Sequence, residues 1–263
     1  MNEAVDVSAI VIAHNEAAIA VIAWRSAVAA CQAAEARGLS TETIVVLDRP
    51  DTATERCFSD PETVNTRRIL ADYGDLSQSR NLGVAHSRGR FVALLDGDDL
   101  WSSGWLWRAF ACANAAPRTI WHPALNLFFG AGADWVLAHE DQDSAEFDLD
   151  YLVAANFWTS LAFAPRDAFV SIPYQPNDLE HGFGLEDWHW NCETIANGWI
   201  HKTVPETVHF IRENQSGLTN RTATTGGVVR PTTLFSRPRP GRMSSSCPCG
   251  SGPARLTGGP GSA

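Results

Sequence analysis

Short apolar runs, each stopped by a polar or acidic residue, set the pattern of the N-terminal half. Residues 7–13 (Val-Ser-Ala-Ile-Val-Ile-Ala) run into His14 and Asn15, residues 43–47 into Asp48, and residues 91–95 into Asp96. Runs of this length fit buried strands. Segments with helical spacing fill the gaps. Asn15 is placed to cap a helix, with Glu16 in its first turn. The Ala-rich stretch that follows runs towards Gly38, a natural stop. Ile22, Arg25, Val28 and Cys31 recur at helical intervals, which predicts a buried stripe around Val28. Ser77 is the expected cap of a helix over 79–86, closed by Gly89. Ser102 or Ser103 starts another, through Trp107 and Phe110.

In the second half, residues 119–122, 134–138, 158–163 and 207–211 read as strands, and 148–155 as a short helix. Residues 185–188 open a helix that ends near Gly198, and no internal repeat is evident. Apolar runs alternating with helices favour an α/β layered fold with a mostly parallel sheet flanked by helices. Ligands of such sheets bind outside the carboxyl ends of the strands. Asn15, Asp48 and Asp96 therefore converge on one edge.

Composition changes this picture only at the C-terminus. The chain has 263 residues, 44% hydrophobic and 19% charged, enough for one large core. No segment approaches the ~18 apolar residues of a membrane span. The start, Met-Asn-Glu-Ala, lacks the basic region of a secretory signal, so a cytoplasmic location is expected. A net charge of -10 argues against broad nucleic-acid binding. The cysteines at 31, 57, 112, 192, 247 and 249 imply no disulfide framework. No Asp or Glu follows Glu213, and residues 222–263 carry Arg230, Arg237, Arg239, Arg242 and Arg255 among Pro, Gly, Ser and Thr. The expectation is an ordered body over 1–221 and a flexible tail over 222–263.

The candidate chemistry starts at Asp96, Asp98 and Asp99, crowded at the end of an apolar run. Like charges at that spacing repel. A hard divalent cation bound through oxygen would relieve the crowding, and such cations commonly bridge nucleotide phosphates. A solvated acidic turn is the bland alternative.

The order of motifs resembles the family 2 glycosyltransferases of the GT-A fold. The first strand ends in Ala13-His14-Asn15-Glu16, and the second in Leu47-Asp48-Arg49-Pro50-Asp51. Ser79-Arg80-Asn81-Leu82-Gly83 precedes an Asp-x-Asp motif, Asp96-Gly97-Asp98, and a late acidic pair is Glu186-Asp187. The resemblance implies a nucleotide-sugar-binding half (1–118), an acceptor and catalytic half (119–221), and a Mn²⁺ or Mg²⁺ cofactor. It implies that Ala13, His14, Asn15, Glu16, Asp48, Arg80, Asn81, Asp96 and Gly97 line the donor site. Of these, Asp48 would contact the nucleoside, His14 the base, and Arg80 the diphosphate or ribose. Asp98, with Asp96, would hold the metal. Asp187 would be the general base beside Glu186, and Trp158 would touch the acceptor.

The residue types suit that chemistry. A metal across the diphosphate stabilises the leaving group, and a carboxylate opposite removes the acceptor proton. One base with direct displacement implies inversion. The expected acceptor is a hydroxyl of a glycan or lipid-linked molecule, as in surface polysaccharide synthesis. Peripheral association with the inner face of a membrane is compatible with the basic tail.

Two features depart from the family pattern. Asn214 stands where the family often has a metal-binding His, and His209 lies five residues earlier. The sequence Cys247-Pro-Cys249 resembles half of a SEC-C zinc motif, with no further Cys or His after it. The alternatives to a transferase are a sugar-phosphate nucleotidyltransferase and a non-catalytic nucleotide- or glycan-binding relative.

Overall fold

The computed structural model describes residues 4–236, apart from 65, 131, 215 and 216. In chain order the first elements are β1 (Val5–Ala13), α1 (Ala18–Glu35), β2 (Thr41–Asp48), α2 (Thr52–Cys57), β3 (Arg67–Ala71), α3 (Leu76–His86) and β4 (Gly89–Asp96). Then come β5 (Leu100–Trp101), α4 (Trp105–Ala115), β6 (Thr119–Phe129), β7 (Trp135–Ala138), β8 (Phe163–Pro165), α5 (Arg166–Ser171), β9 (Phe183–Gly184) and α6 (Glu186–Ala196). The last are β10 (Ile200–Arg212), α7 (Leu218–Thr224), β11 (Val228–Val229) and α8 (Thr233–Ser236).

The main sheet runs β3-β2-β1-β4-β8-β6-β10-β5, with β7 paired to β6. Strands β3, β2, β1 and β4 are mutually parallel, as are β6 and β10. The short β8 joins the two blocks antiparallel to β4 and β6. This is the α/β, mostly parallel architecture expected.

The core follows from side-chain alternation on β1. Val7, Ala9, Val11 and Ala13 belong to one buried cluster with α1 and α4, whereas Ile10 and Ile12 belong to a second with Val84, Phe169 and Trp190. Both faces are covered, which is why the strand reads as a continuous apolar run. Helix α1 buries Ala20, Ala23, Trp24, Ala27, Ala30, Cys31 and Ala34. The stripe expected around Val28 is met in part, since Cys31 is buried and Val28 packs against the core. Ile22 is 48% exposed and Arg25 pairs with Glu62, because the small alanines let the helix lie close to the sheet.

Other local expectations are corrected as well. Asn15 does not cap α1: Ala17 is the cap residue, at φ 49°, with no side-chain bond. Asp75, not Ser77, caps α3 by accepting from the Gln78 amide at 2.9 Å. Residues 158–162 are not strand, since only Phe163–Pro165 pair with β4 and β6. The body also continues beyond residue 221. Strand β11 pairs with β9, and Glu193 on α6 accepts from the Thr233 amide at 2.5 Å and its hydroxyl at 2.7 Å. Bulk composition concealed the pairing of Val228 with Phe183 and of Val229 with Gly184. Cys247 and Cys249 lie outside the described residues. Among the described residues, no helix is long and apolar enough to cross a membrane.

Candidate active site

Parallel pairing fixes where the acidic ends meet. Ile12 lies opposite Asp96 and Ala13 opposite Leu47, so the carboxyl ends of β1, β2 and β4 share one edge. Gly97 is needed there because a Cβ would fall 2.7 Å from the Ile12 carbonyl oxygen and 3.0 Å from Ala13 Cα. Three of the four non-glycine residues with positive φ among the described residues also sit beside the motifs: Ala17 (49°), Arg49 (46°) and Leu185 (59°). Each such conformation costs on the order of 1–3 kcal/mol and concentrates at functional sites.

Arg80 organises the centre. It is 1% exposed and reaches from α3 under the sheet edge. Its guanidinium donates to Glu186 at 2.8 Å, to both Asp96 oxygens at 2.9 and 2.7 Å, and to the Ser160 hydroxyl at 2.9 Å. It also lies 5.3 Å from the Tyr174 ring centroid. Burial opposes its charge, but Asp96 and Glu186 outweigh that and raise its pKa. Arg80 thus ties the Asp-x-Asp motif of β4 to the acidic pair that opens α6.

Asp187 is half-buried next to that cluster. Its carboxylate accepts from the Trp188 amide at 2.8 Å and from Asn156 Nδ2 at 3.3 Å, and Asn156 in turn accepts from Asn191 at 3.0 Å. Burial, then the charge of Glu186, pushes the Asp187 carboxyl up to about 7. That value suits a group that must change protonation near neutrality.

Asp98 is also pushed up, to about 6, by burial and then by Asp96 and Glu16. It accepts from Asn214 Nδ2 at 3.1 Å and lies 3.9 Å from Arg212. Asp99 accepts from the Arg212 amide at 2.7 Å, and burial followed by Asp98 and Asp96 raises its pKa well above the usual range. The crowding expected from the sequence is therefore present. Among the described residues, no group of three or more His, Cys, Asp or Glu side chains is arranged to hold a metal alone. The donor set fits a hard cation bound by one or two carboxylates and completed by ligand phosphates and water.

The remaining sequence candidates divide. His14 is exposed, and its Nδ1–H donates to the Asp48 carbonyl, which leaves Nε2 to accept from Asn15 at 2.9 Å. The His14 amide donates to Glu16 at 2.5 Å, and Asn15 accepts from the Asp51 amide at 2.9 Å. These bonds shape the turn after β1. Asp48 is 4% exposed and accepts from the amides of Tyr73, Gly74 and Asp75 at 2.8, 3.0 and 3.1 Å. Burial resists its charge, but these amides win and lower its pKa. Its visible work is to hold the loop after β3. Asn81 points away from the edge, exchanging two hydrogen bonds with the Tyr174 backbone at 2.8 and 3.0 Å.

Two expectations fail on burial. His209 is fully buried, its ring 4.5 Å from that of Trp105, and neither ring nitrogen has a partner. It is a core residue of β10, not a metal ligand. Trp158 is 1% exposed, stacks on His122 and His201, and donates to the Glu140 carbonyl at 2.7 Å. It packs the core and cannot touch an acceptor. The residues missed are Asn156, Ser160 and Tyr174. The first two flank Trp158, the residue of that stretch which the resemblance singled out.

A mostly parallel sheet with its acidic groups gathered at the carboxyl edge has the GT-A architecture of glycosyltransferases. The chain belongs to glycosyl transferase family 2, whose profile matches residues 8–171. That membership sets the nucleotidyltransferase alternative aside. Among solved structures it is similar to S. aureus TarS 1-349 in complex with UDP-GlcNAc, with a TM-score of 0.59 at 14% identity over 88% of this chain and 64% of that one. It is also similar to a longer S. aureus TarS structure, with a TM-score of 0.58 at 15% identity over 80% of this chain and 37% of that one. At such identity the likeness is one of fold, and the chain spans under two thirds of TarS 1-349. No curated protein matches the chain.

Proposed function

We propose that this chain is a glycosyltransferase, inverting and metal-dependent, that moves a sugar from a nucleoside-diphosphate donor to an acceptor hydroxyl. One observation carries the reading. Arg80 joins Asp96 of the Asp-x-Asp motif to Glu186, which supports a shared site for their neighbours Asp98 and Asp187. The TarS complex with UDP-GlcNAc makes that nucleotide sugar the first donor to try.

Asp98 would hold Mn²⁺ or Mg²⁺, with Asp96 alongside and Asn214 steadying the carboxylate. When bound, the ion supplies Lewis-acid stabilisation of the departing diphosphate. His14, Asn15, Glu16 and Asp48 form the adjoining wall, where the nucleoside would lie. Asp187 removes the acceptor proton as the hydroxyl oxygen attacks the anomeric carbon and the nucleoside diphosphate departs. Asn156 and the Trp188 amide orient that carboxylate. A single base on the face opposite the leaving group gives inversion.

The protonation of Asp187 sets an expected pH profile. The base must be ionised, and burial beside Glu186 holds its carboxyl at about 7. Transfer should therefore increase as pH rises through about 7 and fall tenfold per pH unit well below it. Initial rates between pH 5.5 and 8.5 test this. A flat profile down to pH 5.5 would remove Asp187 from the role of base.

A further inference from the structure

Tyr174 lies in the irregular stretch between α5 and β9, where Pro173 and Pro176 have no amide N–H to offer a ladder. Its backbone is held by Asn81, which donates to the Tyr174 carbonyl at 2.8 Å and accepts from its amide at 3.0 Å. Asn81 follows Arg80 on α3, so this clasp ties Tyr174 to the helix that carries the guanidinium. The ring is 1% exposed and packs against Trp190, with centroids 5.0 Å apart and 20° between planes, and against Phe169 at 6.2 Å and 27°. Trp190 stacks on Phe169 at 4.9 Å, and its indole N–H donates to the Ile172 carbonyl at 2.6 Å.

Against this backing the Arg80 guanidinium carbon lies over the Tyr174 ring, 5.3 Å from its centroid. That distance is within the range of cation–π attraction, which strengthens where water is excluded. The contact completes the restraint of Arg80. Its hydrogen bonds to Glu186, Asp96 and Ser160 all use Nη1 and Nη2, and Nε has no partner. The guanidinium is thus gripped at its outer edge, and the ring restrains its plane. The Tyr174 hydroxyl makes no hydrogen bond, so the ring rather than the hydroxyl carries the contact.

The guanidinium in turn acts on Asp187. Burial and Glu186, from the same helix, oppose ionisation of Asp187, and Arg80 of α3 favours it. Asp96 of β4 shares Arg80 with Glu186. Segment 156–160 brings only uncharged side chains, and burial keeps the Tyr174 hydroxyl neutral by raising its pKa. A guanidinium displaced from Glu186 would leave both carboxylates less compensated and move the ionisation of Asp187 to higher pH.

We propose that Tyr174 is a positioning residue for the transfer: its ring face, backed by Trp190 and Phe169, fixes the Arg80 guanidinium against Glu186, beside the base Asp187. This deepens the transferase reading and rests on it. An aromatic ring outside the acidic motifs thereby governs when the base is ionised. The negative face of the ring is what matters, and the hydroxyl is dispensable.

The test compares, in the full chain, Tyr174→Phe, Tyr174→Met and Tyr174→pentafluorophenylalanine. Fluorination keeps the shape of the ring and reverses the charge of its face. The Asp187 carboxyl is titrated by carbon NMR on aspartate-labelled protein, its signal assigned by its absence from Asp187→Asn. UDP release from UDP-GlcNAc is followed from pH 5.5 to 8.5 on the same samples. Tyr174→Phe should titrate as wild type does, near 7. The methionine and pentafluorophenylalanine variants should raise the midpoint by about half a pH unit, which lowers UDP release at pH 6 about threefold relative to pH 8.5. The pentafluorinated ring has the shape of the phenylalanine ring, so it decides the matter even if Tyr174→Met unfolds. Equal midpoints for phenylalanine and its pentafluoro analogue would overturn the proposal. So would a loss of UDP release of the same size at every pH, which would leave Tyr174 a packing residue. If wild type releases no UDP, the transferase reading fails; if it does and the midpoints coincide, only the positioning inference fails.

Discussion

Asp187→Asn is expected to abolish sugar transfer while leaving nucleotide binding near that of the parent. The substitution keeps the size of the side chain and removes the one atom pair able to take the acceptor proton. Loss of a general base costs roughly 10²–10⁴ in rate. A control on folding comes from the same group. Burial and Glu186 raise the carboxyl to about 7, far above its unfolded value, so the folded state disfavours its charge. That penalty is absent below the unfolded carboxyl pKa, grows as pH rises from there to about 7, and is fully present above it. At pH 8 the asparagine variant should therefore melt no lower than wild type. A variant that retained full transfer would contradict the assignment of the base.

Arg80→Met is expected to have the largest effect on stability. The guanidinium is 1% exposed and compensates two carboxylates, with Asp96 2.7 Å and Glu186 2.8 Å away. Removing one partner of a buried ionic group leaves the others uncompensated, at a cost of about 3–5 kcal/mol. For a chain of this size, each kcal/mol lowers the melting temperature by about 2–4 °C. Adding Glu186→Gln should recover part of the loss, because it removes one of the stranded charges. Thermal unfolding of both variants checks this. An unchanged melting temperature for Arg80→Met would show that the triad contributes little.

The sequence made the acidic carboxyl edge of β1, β2 and β4 legible and left much of the surroundings of Asp187 opaque, for a physical reason. Strands β1, β2 and β4 are buried on both faces, so they appear as apolar runs whose polar ends mark the edge. Asp96, Asp98, Arg80 and the Glu186-Asp187 pair follow from those ends and from family spacing. Asn156, Ser160 and Tyr174 sit in irregular segments, where no periodicity announces which way a side chain points. Trp158 and His209 show the converse. Their residue types suit sugar stacking and metal binding, but their fate was decided by long-range packing against His201 and Trp105. Segment 222–236 resembled the tail because its contacts are few and distant in sequence, with Thr233 held by Glu193.

The central claim is a metal-assisted nucleotide site at Asp98. Calorimetric titration of UDP and other nucleoside diphosphates, with and without Mn²⁺, on wild type and Asp98→Ala tests it most directly. The expected result is binding of one nucleotide to wild type that requires Mn²⁺ and is lost in Asp98→Ala, with both proteins folded. Equal binding by the two proteins, or binding indifferent to the metal, would contradict the account.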